Sequence, residues 1–200
     1  MSNKAEQAIE IAEKITDLYE TNRLLDYEPY EYQKRFHDAK DMAGRLARQR
    51  LLMAANKTGK TFCGASEMAF HLTGRYPKWW QGARFSRPIT AWAAGNTTAN
   101  TRDIVQAELL GEPGDEDEFG KGAIPKQYIV GTPLRMPGVP NAFQSLSVKH
   151  VSGRNSKLIF KSYEQGKMQW MGKAVDVTWL DEEPPQDIYS QALRAALKGG

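Results

Sequence analysis

The segment LLMAANKTGKTFCGA, residues 51–65, contains Gly59-Lys60-Thr61, a triplet suited to holding phosphate. That chemistry needs backbone N–H groups turned toward the anion, a lysine reaching the β- and γ-phosphates, and a neighbouring hydroxyl that ligates magnesium. Asn56, Lys57, Thr58 and Gly59 would form the turn, Lys60 would supply the ammonium and Thr61 the hydroxyl. One requirement is missing in its usual form. The first glycine of such loops stands five residues before Gly59, where this chain has Ala54. By itself the segment fits a phosphate loop and an ordinary strand–turn–helix equally.

An independent acidic pair narrows the choice. In VTWLDEE, residues 177–183, an apolar run ends in Asp181 and Glu182. Ligands of open α/β sheets bind beyond the carboxyl ends of strands, where this run would place both carboxylates. Asp181 is then positioned to hold magnesium opposite Thr61, and Glu182 to orient and deprotonate an attacking water. A P-loop kinase, whose nucleophile is a substrate group, would need no such second carboxylate. Upstream, YEPYEYQKRF places Gln33 among tyrosines, so that an amide could read an adenine edge while a ring stacks on its face. A tyrosine-rich core segment would look the same.

These groups need elements to position them. Ala8, Ile9, Ala12, Ile15, Leu18 and Tyr19 recur at helical spacing and predict a helix over residues 4–24. RLLMAA reads as a buried strand into the loop, and KTFCGASEMAFHL as a helix stopped at Thr73-Gly74. PITAWAAG predicts a second buried strand, followed by a helix in NTTANTRDIVQAELL with a Thr/Asn-rich start. Residues 111–144, rich in Gly and Pro, read as a long loop that includes the acidic stretch GEPGDEDEFG. SLSVKHV and KLIFKSY flank the turn-rich SGRNS and predict an antiparallel hairpin. AVDVTWL predicts another strand and PQDIYSQALRAAL a last helix. Strands alternating with helices imply an α/β layered sheet.

Composition sets outer bounds. Two hundred residues, 40% hydrophobic and 26% charged, suit one well-buried domain. No apolar run approaches the roughly 18 residues of a membrane span. The single cysteine, Cys63, offers no internal disulfide and suits a reducing cytosol. Net charge is only +3, but Lys and Arg gather before the loop, after the next helix, and between Lys149 and Lys173. Such clusters face either solvent or a polyanion. The adjacent Trp79 and Trp80 read as a buried aromatic pair. His37, His71 and His150 show no metal-ligand spacing.

PYEYQKRF, AANKTGKTFCGASEMAFHLTGRYP, GARFSRPITAWAAG and QGKMQWMGKAVDVTWLDEEPPQDIY, in that order, resemble the large terminase subunit of tailed bacteriophages. The similarity is closest to short-tailed phages of enteric bacteria and covers most of residues 28–190. It implies a P-loop NTPase fold of the ASCE or RecA-like type, with residues 1–27 a helical segment and 28–200 the ATPase domain. It also implies ATP and Mg2+, and double-stranded DNA, portal protein and the small terminase subunit as partners, in a homo-oligomeric ring in the host cytoplasm without a membrane. By motif, Gln33 falls in the adenine-reading element, Lys60 and Thr61 in the phosphate loop, and Asp181 and Glu182 in the acidic pair. Glu183 receives no role.

This family tolerates a degenerate first glycine, which accommodates Ala54. Two departures remain. Many members carry an arginine four residues before the lysine, where this chain has Asn56 beside Lys57. Charge compensation must then come from Lys57 or from an arginine elsewhere, and Arg102 is the first candidate, with Arg84 and Arg87 as rivals. The chain also ends at LRAALKGG, before the family's coupling motif and nuclease domain, so no nuclease activity is expected. The competing readings are a non-catalytic DNA- or portal-binding module with a relic loop, and a helicase-like ATPase, which would need a second lobe.

Overall fold

The computed structural model describes residues 4, 7–9, 11–12, 22–24 and 26–197. Its elements are α1 (Glu31–His37), α2 (Lys60–Thr73), β1 (Thr90–Gly95), α3 (residues 98–110), β2 (Ile129–Arg135), β3 (Phe143–Lys149), β4 (Asn155–Ser162), β5 (Val177–Leu180) and α4 (Gln186–Leu197). The strands form one mixed sheet in the order β2-β3-β4-β1-β5. β4, β1 and β5 run parallel, and β3 is antiparallel to β2 and β4.

β1 shows why the sheet is covered on both faces. Alternate residues of a strand point to opposite sides. Ala91 and Ala93 pack into a core with Met68, Ala69 and Leu72 of α2, while Trp92 and Ala94 pack against Ile188, Ala192 and Ala195 of α4. Alanines on the α2 side let that helix lie close to the strands. At Gly64 there is no room for a side chain, since a Cβ would fall 2.6 Å from Trp179 Cε2 on β5. α2 ends as expected: Gly74 adopts φ +69 and donates its N–H to the Phe70 carbonyl. Trp80 is buried and Trp79 is packed against the same core.

The mixed α/β sheet, the β3–β4 hairpin, β1, β5 and the last helix follow the sequence expectations, with β5 beginning later, at Val177. Three expectations need correction. First, Leu51–Ala55 forms no strand and pairs with none among the described residues, and Leu51 and Met53 are 80% and 81% exposed. An apolar run shows that a segment suits burial, not which neighbour buries it. The outer edge of β5 is likewise unpaired among the described residues. Second, the stretch read as a loop contains β2, whose side chains are mostly exposed and whose pairing shifts register between Val130 and Leu134, around Gly131 and Pro133. An edge strand broken this way loses the alternation that would reveal it, and proline is tolerated there. Third, α3 is not a uniform helix but holds a π-helical segment, Thr101–Gln106, between the α-helical pieces Thr98–Asn100 and Ala107–Leu110.

The described residues between 4 and 12 are helical, and Ile9 and Ile11 are exposed. Ile15, Leu18 and Tyr19 of the expected stripe lie outside the described residues. Leu24 and Tyr27, just before the expected boundary at residue 28, are buried in the same core as α2. No helix of the described residues is long and apolar enough to cross a membrane.

Candidate active site

The loop before α2 is held in shape from three directions. Lys57 and Gly59 adopt left-handed backbone, φ +59 and +83, which curls the chain into the first turn of α2. Inside the curl, Lys60 Nζ donates to the carbonyls of Ala54 and Ala55 at 2.7 and 2.8 Å, and Thr58 Oγ1 donates to Ala55 O at 2.7 Å. From α1, Gln33 Nε2 donates to Gly59 O at 3.1 Å, its Oε1 accepts from Tyr30 N at 2.8 Å, and the Tyr32 hydroxyl donates to Thr58 O. Gln33 is thus buried against the loop backbone, while still lining an open cleft of about 700 Å3 with Tyr30, Tyr32, Lys57, Gly59 and Phe62. The rings of Tyr30 and Tyr32, both lining this cleft, stack 6.0 Å apart. Asn56 is exposed at the tip of the turn.

β5 brings the acidic pair to this loop. Asp181 continues the strand by donating its N–H to Ala94 O at 2.8 Å. Burial, and then the charge of Glu182, push the Asp181 carboxyl up to about 6, against the opposing influence of Lys60 and Thr61. The packing of Gly64 against Trp179 sets the N-terminus of α2, with Lys60 and Thr61, beside the C-terminal end of β5, which carries Asp181. A half-buried carboxylate crowded by another carboxylate, beside a threonine hydroxyl, supplies oxygen donors of the kind a hard divalent cation takes. Thr61 and Asp181 are the residues that could hold it. Glu182 is exposed and adopts φ +65, a conformation disfavoured for a residue with a Cβ.

The arginines are distributed unequally. Arg102, on α3, pairs with Asp103 at 2.6 Å and donates to Pro140 O at 3.0 Å. Arg84 donates to Trp80 O, and Arg87 pairs with Asp176 just before β5. Arg87 thus sits at the N-terminal ends of β1 and β5, away from the loop. Of the later basic cluster, Lys149, Arg154 and Lys157 are exposed around the β3–β4 turn. Lys161 instead lies over the rings of Trp92 and Trp170, and burial lowers its ammonium to about 8.

Several residues at the site were not singled out in the sequence. The buried Tyr163 hydroxyl donates to Asp181 O at 2.8 Å and reaches Glu182 O at 3.2 Å. Glu108 on α3 raises the Asp181 carboxyl through its charge and has a buried Oε2 with no hydrogen-bond partner among the described residues. Under the loop, Glu67 of α2 binds His37 Nδ1 at 2.6 Å, His71 Nε2 at 3.2 Å and the Arg50 guanidinium. The only sequence signal was Glu67 and His71, one turn apart on α2; the other partners are distant in the chain.

Residues 51–199 match a family profile described as "Terminase large subunit, T4likevirus-type, N-terminal". The chain is also 36% identical over 211 aligned positions to the terminase large subunit of Salmonella phage P22, which covers 97% of this chain and 41% of that protein. It therefore spans less than half the length of that relative. No solved structure gives a significant match.

Proposed function

The chain belongs to the terminase large subunit family, and from that premise we propose that it is an ATP-hydrolysing domain with a P-loop NTPase fold that drives packaging of double-stranded DNA into a procapsid. The observation that carries this reading is the packing of α2 on β5 at Gly64 and Trp179, which sets Lys60 and Thr61 at the α2 N-terminus beside Asp181 at the end of β5. The family resemblance supplies the partners: portal protein, the small terminase subunit and further copies of the chain in a ring.

In this reading the triphosphate lies along the left-handed turn from Lys57 to Gly59, with the base in the cleft bordered by Tyr30 and Tyr32. The positive end of α2 faces the phosphates. Lys60, bonded to the Ala54 and Ala55 carbonyls in the structure, exchanges them for phosphate oxygens and so opens the loop onto its substrate. A Mg2+ held by Thr61 and Asp181 would neutralise charge on the phosphates. Asp181 would hold it in its ionised form. Glu182 accepts a proton from the water that attacks the γ-phosphorus, while the bond to the β-phosphate oxygen breaks. Gln33 fixes Gly59 from behind and so keeps the loop in register with α1.

Two substitutions test this assignment. Lys60→Ala should lose ATP affinity. Glu182→Gln should retain ATP binding and lose about a hundredfold or more in turnover, the usual scale for removing a positioned base. The measurements are equilibrium binding and phosphate release, with and without DNA, portal and the small subunit. A Glu182→Gln protein that hydrolyses ATP at the wild-type rate would remove Glu182 from the mechanism.

A further inference from the structure

We propose that Tyr163 is the positioning residue for Glu182: its buried hydroxyl clamps the backbone of the acidic pair and fixes the direction of the Glu182 side chain. The inference rests on the reading of Glu182 as the general base.

Glu182 is one of three non-glycine residues with left-handed backbone among the described residues. With a Cβ present, this conformation persists only where the surroundings enforce it. Relaxation to an ordinary right-handed or extended conformation would redirect the Cα–Cβ bond, and with it the carboxylate. The groups holding the turn are therefore part of the catalytic geometry. Asp181 N is tied to β1, and the carbonyls of Asp181 and Glu182 both face one group, the Tyr163 hydroxyl, at 2.8 and 3.2 Å.

Tyr163 suits such a clamp because its own position is fixed. It follows the last residue of β4 and is 6% exposed, with its ring 6.1 Å from that of Trp170, which in turn meets Trp92 of β1 edge-on. The next residue, Glu164, donates its N–H to Asn96 O at 3.1 Å and accepts from Thr98 N at 2.6 Å, so the turn is bound to the end of β1 and the start of α3. Burial raises the phenol well above its usual range, so the hydroxyl stays protonated and able to donate. The ring accounts for the packing. The hydroxyl accounts for the turn, and substitution can separate the two.

Tyr163→Phe keeps the ring and removes the clamp. Turnover should fall about ten- to a hundredfold, the scale of a misplaced reacting group, with ATP affinity and melting temperature close to wild type. In a Glu182→Gln background the same change should leave the residual rate unaltered, because the group it positions is already gone. Hydrogen–deuterium exchange gives a readout independent of activity: amides of residues 181–183 should exchange faster in Tyr163→Phe, with those of α2 unchanged. Wild-type turnover in Tyr163→Phe, while Glu182→Gln is inactive, would overturn the clamp and leave the proposed function standing. Full activity of Glu182→Gln would overturn the role of the base instead. In that case unchanged exchange at residues 181–183 would dispose of the clamp as well.

Discussion

Glu67 lies about two turns along α2 from Lys60, and its carboxylate gathers groups from three stretches of chain. Burial pushes its carboxyl up, but the bonds from His37 and His71 and the charge of Arg50 outweigh that and hold it far below the usual carboxylate range. The cluster joins Arg50, which leads into the loop, to the end of α1, which carries Gln33. A buried ion pair broken on one side costs about 3–5 kcal/mol because the other charge stays buried. Glu67→Gln should therefore lower thermal stability by that order at neutral pH, measured by reversible unfolding. The sign of the pH effect follows from the depressed value. A carboxyl held lower in the folded than in the unfolded chain stabilises fully above its unfolded pKa of about 4.3, and loses that contribution as pH falls toward the folded value. The wild-type melting temperature should drop more steeply than that of Glu67→Gln below about pH 4.5. Parallel slopes would mean that Glu67 is not held ionised by this cluster.

Between elements, the spacing of α2 and β5 decides whether Thr61 can reach Asp181. Gly64 sets that spacing, since a Cβ there would fall 2.6 Å from Trp179 Cε2 and 2.7 Å from its Nε1. Gly64→Ala forces helix and strand apart, at about 1–3 kcal/mol for overpacking, and should weaken ATP binding as well. Pairing it with Trp179→Leu should recover stability relative to Gly64→Ala alone, which a double-mutant cycle of melting curves would show. An additive cycle would mean that the two residues do not share this contact. The same pair shows what the sequence made legible. VTWL was readable as a strand, and its position before Asp181 pointed to the site. That Trp179 leans on Gly64 was not readable, because nothing local in either segment specifies the other. β1, the β3–β4 hairpin and α2 were readable because apolar runs ended in clear turn or cap residues such as Gly74. β2 carries Gly131 and Pro133 and exposes most of its side chains, so it left no pattern. Tyr163 escaped notice for a related reason. Its hydroxyl acts on backbone carbonyls eighteen and nineteen residues away, a contact without a residue-type signature.

At the scale of the whole molecule, the open question is where the positive charge for the transition state comes from. The loop offers Asn56 and the exposed Lys57, whose ammonium is a point charge rather than a planar fork. Arg102 is the notable arginine on the side of the sheet where β1 and β5 end, and in the single chain its guanidinium is held by Asp103 and Pro140 O. Those bonds are at the surface, where exchange for a stronger anion costs little. The π-helical segment in which Arg102 sits is a form of helix often found at functional sites. We propose accordingly that Arg102 acts on the ATP of a neighbouring copy. On that basis Arg102→Ala should bind ATP as the wild type does and, in the isolated chain, leave the slow basal rate unchanged. Assembly should raise turnover only where Arg102 is present, by up to about a thousandfold for an arginine supplied in trans. Lys60→Ala keeps the arginine and loses the pocket, whereas Arg102→Ala keeps the pocket and loses the arginine. Mixed under conditions of assembly, the two variants, neither of which is stimulated by assembling alone, should recover part of the assembly-dependent turnover, measured as phosphate release against the mixing ratio. Absence of recovery in rings shown to contain both variants would exclude a contribution in trans, and an assembled Arg102→Ala ring with wild-type turnover would remove Arg102 from the reaction altogether.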